Sequence, residues 1–156
     1  KIDQKTIKEW LFLLEATYII KLIRPYHKNV RSELTKNPKV FFIDTGLMHL
    51  LHLKIFPKIM LGNSFENSFF SELLKNNIEC NFWRTTNKQE IDFIVQKKNA
   101  IAIEVKLNFQ HSIGSALNFF RNKYKSKIFL VAMYGNKDED YKRYPWEMIQ
   151  KLKEFR

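Results

Sequence analysis

The protein has 156 residues, and 27 Lys and Arg residues against 16 Asp and Glu residues give it a formal net charge of +11 at pH 7. This length suits one domain, or one domain with an appendage, and 45% hydrophobic residues are enough for a real core. The single cysteine excludes an intrachain disulfide framework and favours a reducing compartment, which we expect to be the cytoplasm. No apolar run approaches the roughly 20 residues that cross a bilayer, so we expect no membrane partner.

The first part of the chain predicts a helix, a strand, a basic loop and a second strand. Apolar residues spaced three and four apart predict a helix ending near residue 16, and a strand is expected at 18–23. A polar, basic stretch at 26–39 leads to an apolar strand at 40–43. This order is typical of the last part of a winged-helix unit. We therefore expect residues 1–61 to hold a partial winged helix and a connection.

The excess of positive charge points first to a polyanion, and DNA is the partner we expect. A lysine-rich surface that binds no nucleic acid is the alternative. Arg84, at the end of a predicted strand, could contact a phosphate or pair with a core carboxylate. The candidate nucleic-acid contacts are Lys28, Arg31, Lys36 and Lys39 in the basic loop, and Arg84.

The rest of the chain predicts the element order α-β-β-β-α-β. The pattern indicates a helix at 64–74, strands at 80–84, 91–96 and 100–107, a helix at 112–124 and a strand at 127–133. Pro145 is suited to the first position of a terminal helix. We expect residues 62–135 to form an α/β core with a mixed sheet flanked by helices, and residues 136–156 a C-terminal loop and helix.

One group of charged residues lies within this apolar pattern. Glu104 and Lys106 share one face of a strand, and a hairpin with the preceding strand can bring Asp92 beside them. Two carboxylates this close resist joint ionisation unless a cation lies between them. Oxygen ligands suit Mg²⁺ or Mn²⁺, and the lysine could orient a water molecule. The alternative is a structural ion pair at a sheet edge.

A series of motifs in this order resembles a known family. The motifs are FIDTGL at 42–47, GNSFEN at 62–67, WRT at 83–85, EIDF at 90–93 and IEVK at 103–106. They resemble the PD-(D/E)XK nuclease superfamily and, more narrowly, the C-terminal winged-helix and nuclease-like region of prokaryotic AAA-type ATPases. The resemblance implies a restriction-endonuclease-like fold, a metal bound by Asp92 and Glu104, and catalytic roles for Lys106 and Glu66.

Two functions are therefore expected. The first is metal-dependent hydrolysis of DNA phosphodiesters, with Mg²⁺ or Mn²⁺ as cofactor. The second is a noncatalytic DNA-binding or partner-docking module of an ATPase, with the ATPase part of the same chain as a possible partner. The sequence does not specify an oligomeric state.

Other residues favour structural roles. Asp44 could belong to an aspartic-protease motif but is better explained as a helix cap. His49 and His52 have no third metal ligand nearby in sequence, and Cys80 is expected to be a small apolar residue rather than a nucleophile. Trp83, Phe82 and Phe93 could stack on bases, although a core position is the commoner arrangement for such residues.

Overall fold

The computed structural model describes residues 2–26, 37–87, 89–110 and 112–155. Its helices are α1 (Gln4–Ala16), α2 (Thr45–Met48, continued by a π-helical turn at His49–Leu53), α3 (Gly62–Lys75), α4 (Ser115–Tyr124) and α5 (Pro145–Glu154). Its strands are β1 (Ile20–Ile23), β2 (Lys39–Phe42), β3 (Asn81–Arg84), β4 (Glu90–Val95), β5 (Ile101–Asn108), β6 (Lys127–Tyr134) and β7 (Lys142–Arg143). The predicted order α-β-β-β-α-β is confirmed by α3 to β6.

A five-stranded mixed sheet forms the centre of the fold, in the order β3-β4-β5-β6-β7. Strands β3, β4 and β5 are antiparallel neighbours, whereas β6 pairs parallel to β5 and β7 parallel to β6. The connection from β5 to β6 passes through α4, as a parallel crossover requires. The predicted α/β class with a mixed sheet flanked by helices is thus confirmed, and β7 is an addition that the sequence pattern did not predict.

The helices cover both faces of this sheet. On one face, apolar residues of α3 and α5 pack in one cluster with Phe93 and Ile103 of the central strands. On the other face, Leu117 and Phe120 of α4 pack against Ile94 and other strand residues. Because helices cover both faces of the sheet, the central strands are apolar over most of their length. Charged residues such as Asp92 and Glu104 are therefore exceptions on these strands.

The N-terminal segment packs against the same core. Strands β1 and β2 form an antiparallel pair after α1, which is the helix and strand order expected for residues 1–61. Phe41 of β2 stacks on Phe70 with ring centroids 4.5 Å apart. The buried Asn67 side chain accepts a hydrogen bond from Phe42 N at 2.9 Å and donates one to Phe42 O at 3.0 Å. These contacts fix β2 against α3.

A β-bulge in β4 breaks the strict alternation of side chains that the sequence pattern predicts for this strand. Strict alternation places Ile91, Phe93 and Val95 on one face, but Ile91 packs in the cluster that contains Leu117, on the opposite face from Phe93. The register explains this, because Asn81 pairs with Ile94 while Trp83 pairs with Ile91, so two residues of β4 lie opposite one of β3. The extra residue falls at residues 92–93, which places the bulge at Asp92.

Two further expectations concern the basic loop and the membrane. Lys28, Arg31 and Lys36, the candidate phosphate contacts of the loop, lie outside the described residues. Among the helices that the structure describes, none is long and apolar enough to span a bilayer.

Candidate functional site

The bulge directs the Asp92 carboxylate toward the neighbouring strand. The β4–β5 pairing runs from Val95 opposite Ile101 to Phe93 opposite Ile103. Beyond that point Asp92 Oδ2 accepts a hydrogen bond from Val105 N at 2.8 Å. Val105 lies between Glu104 and Lys106 in β5, so the structure places Asp92 beside the two residues that the sequence pattern predicted as its neighbours.

Glu104 and Lys106 form an ion pair at the same end of the hairpin. Lys106 Nζ lies 2.9 Å from Glu104 Oε1, and the Glu104 side chain is 16% exposed against 39% for Lys106. Gly114, the N-cap residue of α4, stands against this carboxylate, because a Cβ added there would lie 3.4 Å from Glu104 Oε2. The absence of a side chain at residue 114 therefore leaves one side of the Glu104 carboxylate uncovered.

Lys106 is protonated in this arrangement. Burial works against its charged form, but the hydrogen bond and the charge of Glu104, with the charges of Asp92 and Glu66, outweigh burial and raise the pKa of the ammonium group. The side chain is therefore a cation and a hydrogen-bond donor at neutral pH, and not a base.

Glu66 reaches the site from α3 and contacts Lys39, which the sequence pattern places in the basic loop. Lys39 lies at the start of β2, where its Nζ is 3.2 Å from Glu66 Oε1 and 3.9 Å from Asp92 Oδ1. It is also hydrogen-bonded to Glu90 Oε1. The Lys39 side chain is only 18% exposed, so it is a partly buried member of the acidic cluster rather than a residue of a solvated loop. Its predicted role as a phosphate contact stays a prediction.

Arg84 pairs with the same group of acids. Its Nε lies 2.5 Å from Glu90 Oε2, while about half of the side chain is exposed. This is the pairing with a carboxylate that the sequence left open as the alternative to a phosphate contact. Burial favours the neutral form of Glu90, but Arg84 and Lys39 more than offset it, and the pKa of Glu90 lies below its usual value.

Asp92 has the most perturbed carboxyl group of the site. Burial is the main cause, the negative charge of Glu66 adds to it, and the Val105 N–H, Lys39 and Lys106 only partly offset both, so the pKa of Asp92 is raised to about 7. A carboxyl group in this position gains a proton, or another positive charge, readily near neutral pH. Such a perturbed acid beside a lysine is typical of a functional site.

The raised pKa of Asp92 predicts a stability that falls with increasing pH. Between the ordinary aspartate pKa and about 7, the folded protein holds a proton that the unfolded chain has released, so the free energy of unfolding decreases across this range and levels off above it. Asp92→Asn should remove this decrease and stabilise the protein at pH 8 by on the order of 2 kcal/mol. Urea unfolding at pH 5 and pH 8 in EDTA measures the effect.

Asp140→Asn, at an exposed aspartate, is the matched control for this change and should retain the wild-type pH dependence. An Asp92→Asn protein whose unfolding free energy followed the wild-type pH profile would contradict the assignment of the raised pKa to Asp92.

The other candidates have structural partners. Asp44 Oδ1 accepts a hydrogen bond from Leu47 N at 2.7 Å and caps α2, as expected. His49 Nε2 lies 2.8 Å from Ser64 Oγ, and His52 packs near Phe42. Burial raises the pKa of the Cys80 thiol to about 12, which leaves it protonated and unreactive. Phe82, Trp83 and Phe93 are core residues.

The donor set at the site consists of carboxylate oxygens. Among the residues that the structure describes, no group of three or more His, Cys, Asp and Glu side chains is placed to hold a metal ion. Lysine ammonium groups neutralise the carboxylates instead, Lys39 on the side of Glu66 and Lys106 on the side of Glu104.

Sequence reasoning missed Lys39 and Glu90 as members of the site. Glu90 belongs to the EIDF motif at 90–93, and its position two residues before Asp92 in the same strand is a signal that could have assigned it to the site. Lys39 is 27 residues from Glu66, and only the docking of β2 on α3 brings the two together.

Two family models match the chain. The family described as Domain of unknown function (DUF8612) matches residues 1–61, and the family described as Domain of unknown function (DUF4143) matches residues 61–152. The second range contains Glu66, Asp92, Glu104 and Lys106, whereas Lys39 lies in the first.

Curated relatives are found in mycobacteria. The uncharacterized proteins Mb2031c of Mycobacterium bovis and Rv2008c of Mycobacterium tuberculosis are each 28% identical over 125 residues, which is 74% of this chain. The match spans about 28% of the length of each relative. No solved structure matches. DUF4143 domains are found in C-terminal regions associated with AAA ATPases. Since the DUF4143 model matches more than half of its residues, the chain belongs to the DUF4143 family.

Proposed function

We propose that this domain hydrolyses DNA phosphodiesters with a divalent metal, as a PD-(D/E)XK nuclease-like domain in the C-terminal part of an AAA-type ATPase. The observation that carries the proposal is the hydrogen bond from Val105 N to Asp92. It sets the Asp92 carboxylate beside Glu104 and Lys106, at the open end of a hairpin whose other end is closed by a turn.

The chemistry of the donor set fits Mg²⁺ or Mn²⁺. Both ions prefer hard oxygen ligands, and Asp92 and Glu104 supply carboxylates without a thiolate or imidazole between them. The raised pKa of Asp92 reflects burial beside the negative charge of Glu66, a combination that favours an added cation. When bound, the metal would neutralise charge that develops on the phosphate and lower the pKa of a coordinated water molecule.

The side chains of the domain have separate roles in this proposal. Asp92 and Glu104 hold the metal. The Lys106 ammonium group donates hydrogen bonds that orient the attacking water and offset negative charge on the phosphate. Glu66 adds negative charge next to Asp92 and acts through a water molecule or the metal.

DNA is the substrate class that the charge favours. The net charge of +11 attracts a polyanion over the whole surface, and the basic loop supplies Lys28, Arg31 and Lys36 as phosphate contacts. Lys39 and the half-exposed Arg84, both paired with Glu90, are the candidate contacts at the site. The ATPase part of the same protein is the proposed partner, and the cytoplasm the proposed location.

A noncatalytic role is the second candidate, and one observation favours it. Lysine ammonium groups already neutralise the carboxylates of the site, and such ion pairs can be purely structural. In that case the domain binds DNA or docks a partner through its basic surface and cuts nothing.

Metal binding separates these two functions. Mn²⁺ should raise the melting temperature of the wild-type protein, because a ligand that binds only the folded state stabilises it by mass action. The double substitution Asp92→Asn with Glu104→Gln should abolish that rise, as measured by thermal unfolding with and without Mn²⁺. Glu79→Gln with Asp140→Asn, which changes two exposed acids outside the site, is the matched control. An equal rise in the Asp92 and Glu104 variant would exclude the metal site.

A further inference from the structure

Lys39 occupies an unusual position for a lysine. Its ammonium group contacts Glu66 and Glu90 and lies 3.9 Å from Asp92 Oδ1, so one cation faces three carboxylates. Burial disfavours the charged form, but these three acids outweigh it and raise the pKa of Lys39. The ammonium group therefore stays charged and attracts the same carboxylate that we propose as a metal ligand.

The element that carries Lys39 is not part of the central sheet. Among the strands that the structure describes, β2 pairs with β1 alone, and Asn67, which exchanges hydrogen bonds with Phe42, holds it on α3. The lysine thus comes from the region that matches one family model, and the acids come from the region that matches the other. The Lys39 side chain can move away from the acids without a change in the pairing of the central sheet, because β2 is not one of its strands.

A lysine and a divalent metal compete in such a cluster. Two positive groups near the same carboxylate repel each other, and the repulsion is strong at a few ångströms in a partly buried site, where water screens charges poorly. The Lys39 ammonium is an attached cation at high effective concentration, so a metal must displace it or bind against its charge.

We propose that Lys39 is a built-in counter-ion that holds Glu66, Glu90 and Asp92 together without metal and that a divalent cation displaces when it binds. This inference rests on the proposed function. Lys39 is a positioning residue that acts through the carboxylates, and it lowers the metal affinity of the site until it is displaced.

Calorimetric titration of Mn²⁺ into the 156-residue chain tests this inference. Lys39→Met keeps the length of the side chain and removes its charge, and it should tighten Mn²⁺ binding by about tenfold or more, within the usual range of coupling between two sites. Lys39→Arg keeps the charge and should bind Mn²⁺ as the wild type does. Lys21→Met, which removes a lysine paired with Glu15 outside the site, should leave the affinity unchanged.

A second measurement uses the wild-type protein and needs no variant. A short pulse of an amine-acylating reagent, followed by mass spectrometry, reports how accessible each lysine is. Acylation of Lys39 should increase several-fold on addition of Mg²⁺, while acylation of the exposed Lys98 stays constant. Unchanged acylation of Lys39 in a protein that binds Mg²⁺ would overturn the displacement.

The outcomes distinguish the inference from the proposed function. Tighter binding in Lys39→Met, including binding that appears only in this variant, supports the counter-ion. Wild-type binding with equal or weaker binding in Lys39→Met overturns the counter-ion and leaves the metal site in place. An absence of Mn²⁺ binding in both proteins overturns the metal site itself, and the counter-ion with it.

Discussion

Under the proposed function, replacing Lys106 by alanine should lower the rate of DNA nicking by about 10²- to 10³-fold, the usual effect of removing one group that stabilises developing charge. The reason lies in the ion pair with Glu104, which holds the Lys106 ammonium beside the proposed metal ligands and keeps it protonated. DNA affinity should hardly change, because one lysine contributes a single contact to a multi-phosphate interaction. Nicking of plasmid DNA with Mn²⁺ and a salt-dependent binding assay measure the two effects.

Lys98→Ala is the matched control for this variant. Lys98 is exposed in the turn that closes the other end of the β4–β5 hairpin, so the substitution removes the same charge at a distance from the site. It should leave the nicking rate unchanged. Equal nicking rates in wild type and Lys106→Ala would remove Lys106 from the chemistry.

Phe93→Ala should lower the free energy of unfolding by about 3–5 kcal/mol, the usual cost of deleting a fully buried phenyl ring. Phe93 is completely buried, and its ring centroid lies 5.5 Å from that of Phe41 and 5.7 Å from that of Phe69. The ring therefore joins the central sheet to both β2 and α3, and its loss leaves a cavity next to the bulge at Asp92. Urea unfolding measures the change.

Phe12→Ala is the control for the cavity. Phe12 lies on α1 with 69% of its surface exposed, so the same truncation there should cost little. A loss of less than about 1 kcal/mol in Phe93→Ala would contradict the packing described for this core.

Much of the fold could be predicted because its elements carry strong local signals. Helix α3 has apolar residues on one stripe, strands β4 and β5 are apolar with turn-forming residues between them, and Pro145 opens α5. Strand β7 was missed, since two residues, Lys142 and Arg143, show no periodic pattern and are ordered only by pairing with β6.

The site was predicted only where local strand pairing brings its residues together. Asp92, Glu104 and Lys106 lie on neighbouring strands of one hairpin, so local pairing was enough to expect them together. The bulge that turns Asp92 toward Val105 depends on the register with β3, which alternation alone does not reveal. Lys39 joins the acids only through the packing of β2 on α3, and its basic neighbours in sequence favoured a different role.

Cleavage of DNA by the wild-type chain is the most direct test of the proposed function. Supercoiled, single-stranded and branched DNA should each be incubated with the protein in Mn²⁺, in Mg²⁺ and in EDTA, beside the Asp92→Asn with Glu104→Gln variant. We expect cleavage of at least one DNA form with either metal, and none in EDTA or with the double variant. Cleavage that persisted in EDTA or in the double variant, or an absence of cleavage of every DNA form by the wild type, would contradict the proposal.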